Sequence, residues 1–151
     1  MTVKSSNMAP HVKDKIVVGD NIDFSAASAA SKVFFVDPDT DYDVISIHVL
    51  MTVAYIGAQA TTVKVGTVAD DDKFAAAQSM GTTAIALGAY ATLTKVTETD
   101  MDTLKLAAGQ PLIISHTQAA SQTGEGKVVV KLRPRDKKYQ SSKRPGGSAG
   151  N

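Results

Sequence analysis

The aspartates at 37, 39, 41 and 43 alternate along DPDTDYD. Alternating carboxylates are the ligand pattern of a calcium loop, which also needs a glycine at position six and a glutamate at position twelve. Counted from Asp37 those positions are Tyr42 and His48; counted from Asp39 they are Val44 and Leu50. Both registers fail, so the stretch reads as a solvated Asp/Pro turn. A further acidic run, Asp70–Asp72, stands ahead of KFAAAQSM with no His or Glu beside it. Three aspartates before an alanine-rich run are what a helix N-terminus asks for, and capping explains them more simply than acid–base or metal chemistry. The three histidines are His11, near the N-terminus, His48, inside an apolar stretch, and His116, at the end of one. None belongs to an HExxH motif or to a spacing typical of zinc. There is no GxSxG, GxGxxG or P-loop, and with no cysteine there is no disulfide, thiolate nucleophile or Cys-based metal site. No catalytic, metal or cofactor-binding set is therefore expected.

Charge is unevenly placed. The chain of 151 residues carries a formal net charge of +1. Residues 131–151 hold seven basic groups against Asp136, a net +6, which leaves residues 1–130 at −5. An acidic body with a basic, Ser/Gly/Pro-rich tail suggests an arm that docks on an acidic protein surface. Nucleic acid ranks below protein as its target, because the acidic body would repel a phosphate backbone and the tail's only aromatic is Tyr139. The residues expected to meet a partner are Lys4 and Lys13 in the N-terminal arm, and Arg135, Lys137, Lys138, Lys143 and Arg144 in the tail. No apolar run approaches the ~18 residues of a membrane-spanning helix, so no membrane partner is expected. The N-terminal residues lack the apolar core of a signal peptide.

The elements that would position these groups read as strands. Tyr42–Tyr55, YDVISIHVLMTVAY, places Ile45, Ile47, Val49, Met51, Val53 and Tyr55 on one face at period two, with Val44, Ser46, His48, Leu50, Thr52 and Ala54 on the other. A straight strand of this length would span about 46 Å, so a bulge, a bend or a second layer is expected. Thr61–Val68 follows and is expected to pair with it as an antiparallel hairpin. A short helix is expected over 71–80, with Phe74 as its anchor and Gly81 as its stop. Shorter strands are expected at 15–18, stopped by Gly19-Asp20-Asn21, and at 32–36, 82–87, 91–96, 103–106, 112–116 and 127–133. The composition, rich in Val, Ile, Ala and Thr with 5% aromatics and no Trp, suits strands with an aliphatic core. The sum is an all-β fold: a jelly-roll-like β-sandwich or small barrel with one short helix, an N-terminal arm over 1–13, a β domain over 14–134 and a C-terminal arm over 135–151.

Two stretches carry a resemblance. VLMTVAYIGAQATTVKVGTVADDDKFAAAQ and LAAGQPLIISHTQAASQTGEGKVVVKLRP resemble the head decoration or cement proteins of tailed bacteriophages. The former is similar to their strand hairpin ending in VGT-x-x-D-x-D-x-F ahead of a short helix. The latter is similar to their closing strand pair, with Gly124 and Gly126 in or near the loop between. The resemblance covers roughly residues 43–134. It implies a capsid-stabilising subunit of jelly-roll type, homotrimeric, lying on the outer surface of the virion head with the major capsid protein as partner. It implies no active site. A tail or head-fibre component is the alternative within assembly proteins. A carbohydrate- or ligand-binding β-sandwich is the alternative outside them, and the scarcity of aromatics speaks against a sugar-stacking platform.

Overall fold

The computed structural model describes residues 13–26, 29–57, 61–80, 83–117 and 122–135. Nine strands form two antiparallel sheets, and no helix occurs among the described residues. They are β1 (Lys15–Asp23), β2 (Ala29–Phe35), β3 (Tyr42–Gly57), β4 (Thr62–Thr67), β5 (Ala75–Ser79), β6 (Tyr90–Leu93), β7 (Lys105–Leu106), β8 (Leu112–Thr117) and β9 (Gln122–Pro134). The larger sheet runs β1-β9-β3-β6, with β7 also on β3; the smaller runs β2-β8-β4-β5. The arrangement is consistent with a β-sandwich, as the strand pattern predicted.

The larger sheet is built on the ladder between β3 and β9, from Tyr42 opposite Pro134 to Gly57 opposite Gln122. In β9 the period is clean: Val128, Val130 and Leu132 are buried, and Lys127, Val129 and Lys131 are half-exposed. In β3 it is interrupted. Register shifts fall between Val44 and Ser46, between Met51 and Val53, and between Val53 and Ile56. Each extra residue turns the following side chains to the other face. Val44 is therefore buried where Ile45 was expected, and Val53 is 47% exposed; Ile47, Val49, Met51 and Tyr55 point inward as expected. They meet Val63, Val65 and Phe74 from the smaller sheet in one core. Phe24 packs edge-on to Tyr55 at 5.8 Å between ring centroids. The Tyr55 hydroxyl accepts from Thr61 N at 3.2 Å. Gly124 lies against this point at φ +117°, and a Cβ there would stand 2.7 Å from Tyr55 Cα, so a side chain has neither the backbone conformation nor the room.

Three expectations are corrected by the fold. The predicted hairpin of β3 with β4 does not form: β4 crosses to the other sheet and pairs with β5 and β8. Likewise β8 and β9 are not a hydrogen-bonded pair but lie in different sheets. The predicted helix over 71–80 is a turn followed by β5. Its backbone donors are already committed. Thr67 N donates to Asp70 O at 2.7 Å, Asp70 N to Thr67 O at 3.1 Å, and Phe74 N to Val65 O at 2.9 Å. Gly66 permits this fold-back, since a Cβ there would overlap the Asp70 carbonyl. Burial of Phe74 and Ala75 between the sheets then overrides the helix propensity of an alanine run. Two smaller corrections follow. The Gly19-Asp20-Asn21 stop is a register shift inside β1, and of the 82–87 strand the described residues, 83–87, form one bridge, between Tyr55 and Ile85.

Candidate interaction surfaces

Three regions outside the core bring functional side chains together. One is the outer face of the larger sheet. Cross-strand pairing aligns Val18, Val129, His48 and Thr92 in one row, and Lys127, Leu50 and Tyr90 in the next. Val18 is 51% exposed and Tyr90 58%. The His48 and Tyr90 rings meet at 5.6 Å, and His48 Nδ1 lies 3.2 Å from Thr92 Oγ1. His48 is thus a packed surface residue of this face.

Another region is the end of the sandwich where β3 begins and β9 ends. Asp37 Oδ2 accepts from the Tyr42 hydroxyl at 2.7 Å, and its Oδ1 from Asp39 N at 2.9 Å. These bonds hold the Asp37 carboxyl below its ordinary value, and burial together with Asp37 pushes the Tyr42 phenol up. Asp41 Oδ1 accepts from Ala108 N at 2.8 Å, and Lys105 Nζ stands 3.7 Å from Asp41 Oδ2. Arg135 donates from Nε (3.0 Å) and Nη2 (2.6 Å) to Asp43, from Nη1 to Asp102 at 2.9 Å, and from Nη2 to the Met101 carbonyl. Its own amide donates to Asp41 O at 2.8 Å. Three of the four alternating aspartates thus accept structural hydrogen bonds, and Arg135 is engaged by its own chain.

The third region is a cavity of about 190 Å³ on the open side of the sandwich, where the edge strands β1 and β2 face each other above β8. Asp20 and Asp23 line one wall, Lys32 the other, with Phe34, Ile114 and His116 deeper in. His116 is 8% exposed, and its Nε2 has no hydrogen-bond partner. Burial pushes the imidazole below its ordinary value; a backbone hydrogen bond at Ala26 opposes that shift, and the nearby Lys32 charge adds to it. Asp23 Oδ1 accepts from Ser25 N at 2.9 Å and Ser25 Oγ at 2.6 Å, which holds its carboxyl low. Asp20 and Lys32 make no ion pair among the described residues.

The sequence did not single out this cavity, because its walls come from residues 20–23, 32–34 and 114–116. One signal was present: in LIISHT, period two puts His116 on the same face as the buried Leu112 and Ile114. Of the residues expected to meet a partner, Lys13 is exposed at the start of β1, and Lys4, Lys137, Lys138, Lys143 and Arg144 lie outside the described residues. The Asp70–Asp72 run closes the β4–β5 turn. Lys64 Nζ is 2.6 Å from Asp71 Oδ2, and Asp70 beside Asp72 pushes the Asp72 carboxyl up. Among the described residues no group of three or more His, Cys, Asp or Glu is placed to hold a metal ion.

No family model matches this sequence, and no curated protein matches it. Among solved structures the fold is similar to a chain of the cyanophage Pam1 capsid asymmetric unit, with a TM-score of 0.50 and 17% identity. The likeness covers 88% of this chain and 99% of that one, and at this identity it speaks to the fold.

Proposed function

We propose that this chain is a structural, non-enzymatic protein of a tailed-phage virion: a decoration or cement subunit that sits on the outer surface of the head, as a homotrimer, and binds the major capsid protein. The observation that carries the reading is the mutual coverage of the fold with a chain from a capsid asymmetric unit, 88% of one and 99% of the other. Two features support it. Of the carboxylates that suggested chemistry in the sequence, those of Asp37, Asp41, Asp43 and Asp71 accept structural hydrogen bonds or ion pairs in the fold. The outer face of the larger sheet presents Ile16, Val18 and Tyr90 to solvent, as an interaction surface does. The basic segment after Arg135 supplies a further, electrostatic contact through Lys137, Lys138, Lys143 and Arg144, with Lys4 and Lys13 adding to it. Arg135 itself is held to the body by Asp43.

The test is sedimentation of the purified chain with phage heads that lack it. The full chain pellets with heads, and a chain ending at Pro134 pellets at lower occupancy, with the difference shrinking as salt rises. No saturable sedimentation at low salt would refute the reading. A ligand-binding β-sandwich is the alternative reading, and the cavity beside His116 is the observation in its favour.

A further inference from the structure

The outer face of the larger sheet carries charge of both signs, sorted by row. Its centre is the row through Val129 and the row through Lys127. Beyond Val129 the ladders set Ile16, Lys131 and Ser46 side by side, and Arg133 follows on β9. Beyond Lys127 they set Asp23, Glu125 and Val53 side by side. Lys131 and Arg133 share one carboxylate, that of Asp14, at 3.4 and 2.8 Å. Lys127 forms no ion pair among the described residues, and neither do Asp23 and Glu125. The face is therefore cationic toward one end and anionic toward the other, with Val18 and Tyr90 exposed between.

That sorting selects the occupant. A uniformly acidic partner would match the cationic end and oppose the anionic one, and a uniformly basic partner would do the reverse. A lipid surface would desolvate both ends without pairing either. The same face turned end for end matches both. We propose that the outer face of the larger sheet docks on the same face of a second copy, about a two-fold axis that crosses the strands between the Val129 row and the Lys127 row. In that arrangement β9 runs antiparallel over the partner's β9. Val129 lies over the partner's Lys127, and Lys131 over the partner's Glu125, each contact occurring twice. Stacked sheets are turned by about 30°, and the flexible lysine stem spans the offset this introduces. The face is four strands wide, and Glu125 to Arg133 spans about 27 Å, giving a footprint of roughly 500 Å² on each copy. A total near 1,000 Å² is the lower bound of a specific interface, so the pair is weak, with a Kd on the order of 10 μM. The inference goes beyond the virion reading and does not rest on it: a two-fold contact doubles whatever the other surfaces build, a single chain into a dimer or a trimer into a hexamer.

The experiment is sedimentation velocity of the full chain as a function of concentration, at low salt and at about 0.5 M salt. The mass should double with concentration at low salt, and the doubling should weaken at high salt. Lys131→Glu alone and Glu125→Lys alone should each weaken it roughly tenfold or more, since either change places like charges opposite each other twice. Lys131→Glu combined with Glu125→Lys should restore it. Within one chain these residues are six positions apart on β9 and form no ion pair, so recovery in the combined variant reports a contact between copies, and a misfolded single variant would not be rescued this way. A parent mass that does not change with concentration, single variants that double as the parent does, or a combined variant as weak as the single ones would overturn the inference. Sedimentation with heads reads the virion proposal separately, so either can fail without the other.

Discussion

Asp43 and Asp20 lie on strands of the same sheet and differ in what surrounds them. Asp43, on β3, receives two donors from Arg135, because β9 runs beside β3 to its end and brings that residue alongside. Asp20, on β1, is at a sheet edge. The strand facing it across the opening, β2, belongs to the other sheet, and no cation pairs with it among the described residues. One region is closed by its own chain, with Tyr42, Arg135 and Lys105 distributed over Asp37, Asp41, Asp43 and Asp102. The other leaves Asp20 and Lys32 lining a cavity, with His116 buried in its wall. The same residue types serve structure where the topology returns a partner to them and stay without an ion pair among the described residues where it does not.

Both regions rest on a shared core, and disturbing it gives the largest effect. Ile47 is 1% exposed, opposite Val130 and Leu93. Ile47→Ala should cost about 2–4 kcal/mol through lost transfer energy and a cavity, measured by denaturant unfolding. A loss below about 0.5 kcal/mol would show that the β3 register is wrong.

Next in size is the contrast itself. Arg135→Ala should cost about 1 kcal/mol, since it removes a two-carboxylate contact that is only partly solvated. Asp20→Asn and Lys32→Gln should each fall within about 0.5 kcal/mol of the parent. Equal costs in the two regions would erase the distinction between them.

The regions should also separate by pH. His116 is held below its ordinary 6.5 by burial, so the unfolded chain takes up a proton first as pH falls. Its contribution is complete above about pH 6.5 and is lost as pH drops from there toward the folded value. Asp37 is held below its ordinary 3.8 by Tyr42 and the Asp39 amide, so its contribution persists until pH falls below about 3.8 and is then lost. Melting temperature against pH should show the upper step in the parent and lose it in His116→Phe, with the lower step retained in both. A flat parent profile between pH 7.5 and 5 would contradict the account of His116. The smallest effect is expected from a chelator. The acidic runs at 37–43 and 70–72 lack a complete ligand set, so the melting temperature should not move; a drop of several degrees would expose a cation site there.

Much of this was legible in the residues, and the misses have physical causes. Period two in KVVVKLR gave the inward face of β9 correctly. The same rule placed Val53 inside β3: the length of the run called for a bulge or bend, but the pattern, with Val44 and Leu50 on the mixed face, did not say where. Asp70–Asp72 ahead of three alanines is locally a helix start, and only contacts across the fold, at Gly66 and Phe74, make it a turn and a strand. β3 and β4 are neighbours in sequence and strangers in space, since a sandwich distributes consecutive strands between its sheets. The cavity was the least visible feature, being assembled from three segments whose proximity depends on that crossing.

The central claim is that this protein belongs to the outside of a phage head, and intact particles offer the most direct measurement. Gold-labelled antibody against the chain, applied to purified virions and viewed by electron microscopy, should decorate the head surface. Label confined to the tail, or label appearing only after the particles are broken open, would contradict it.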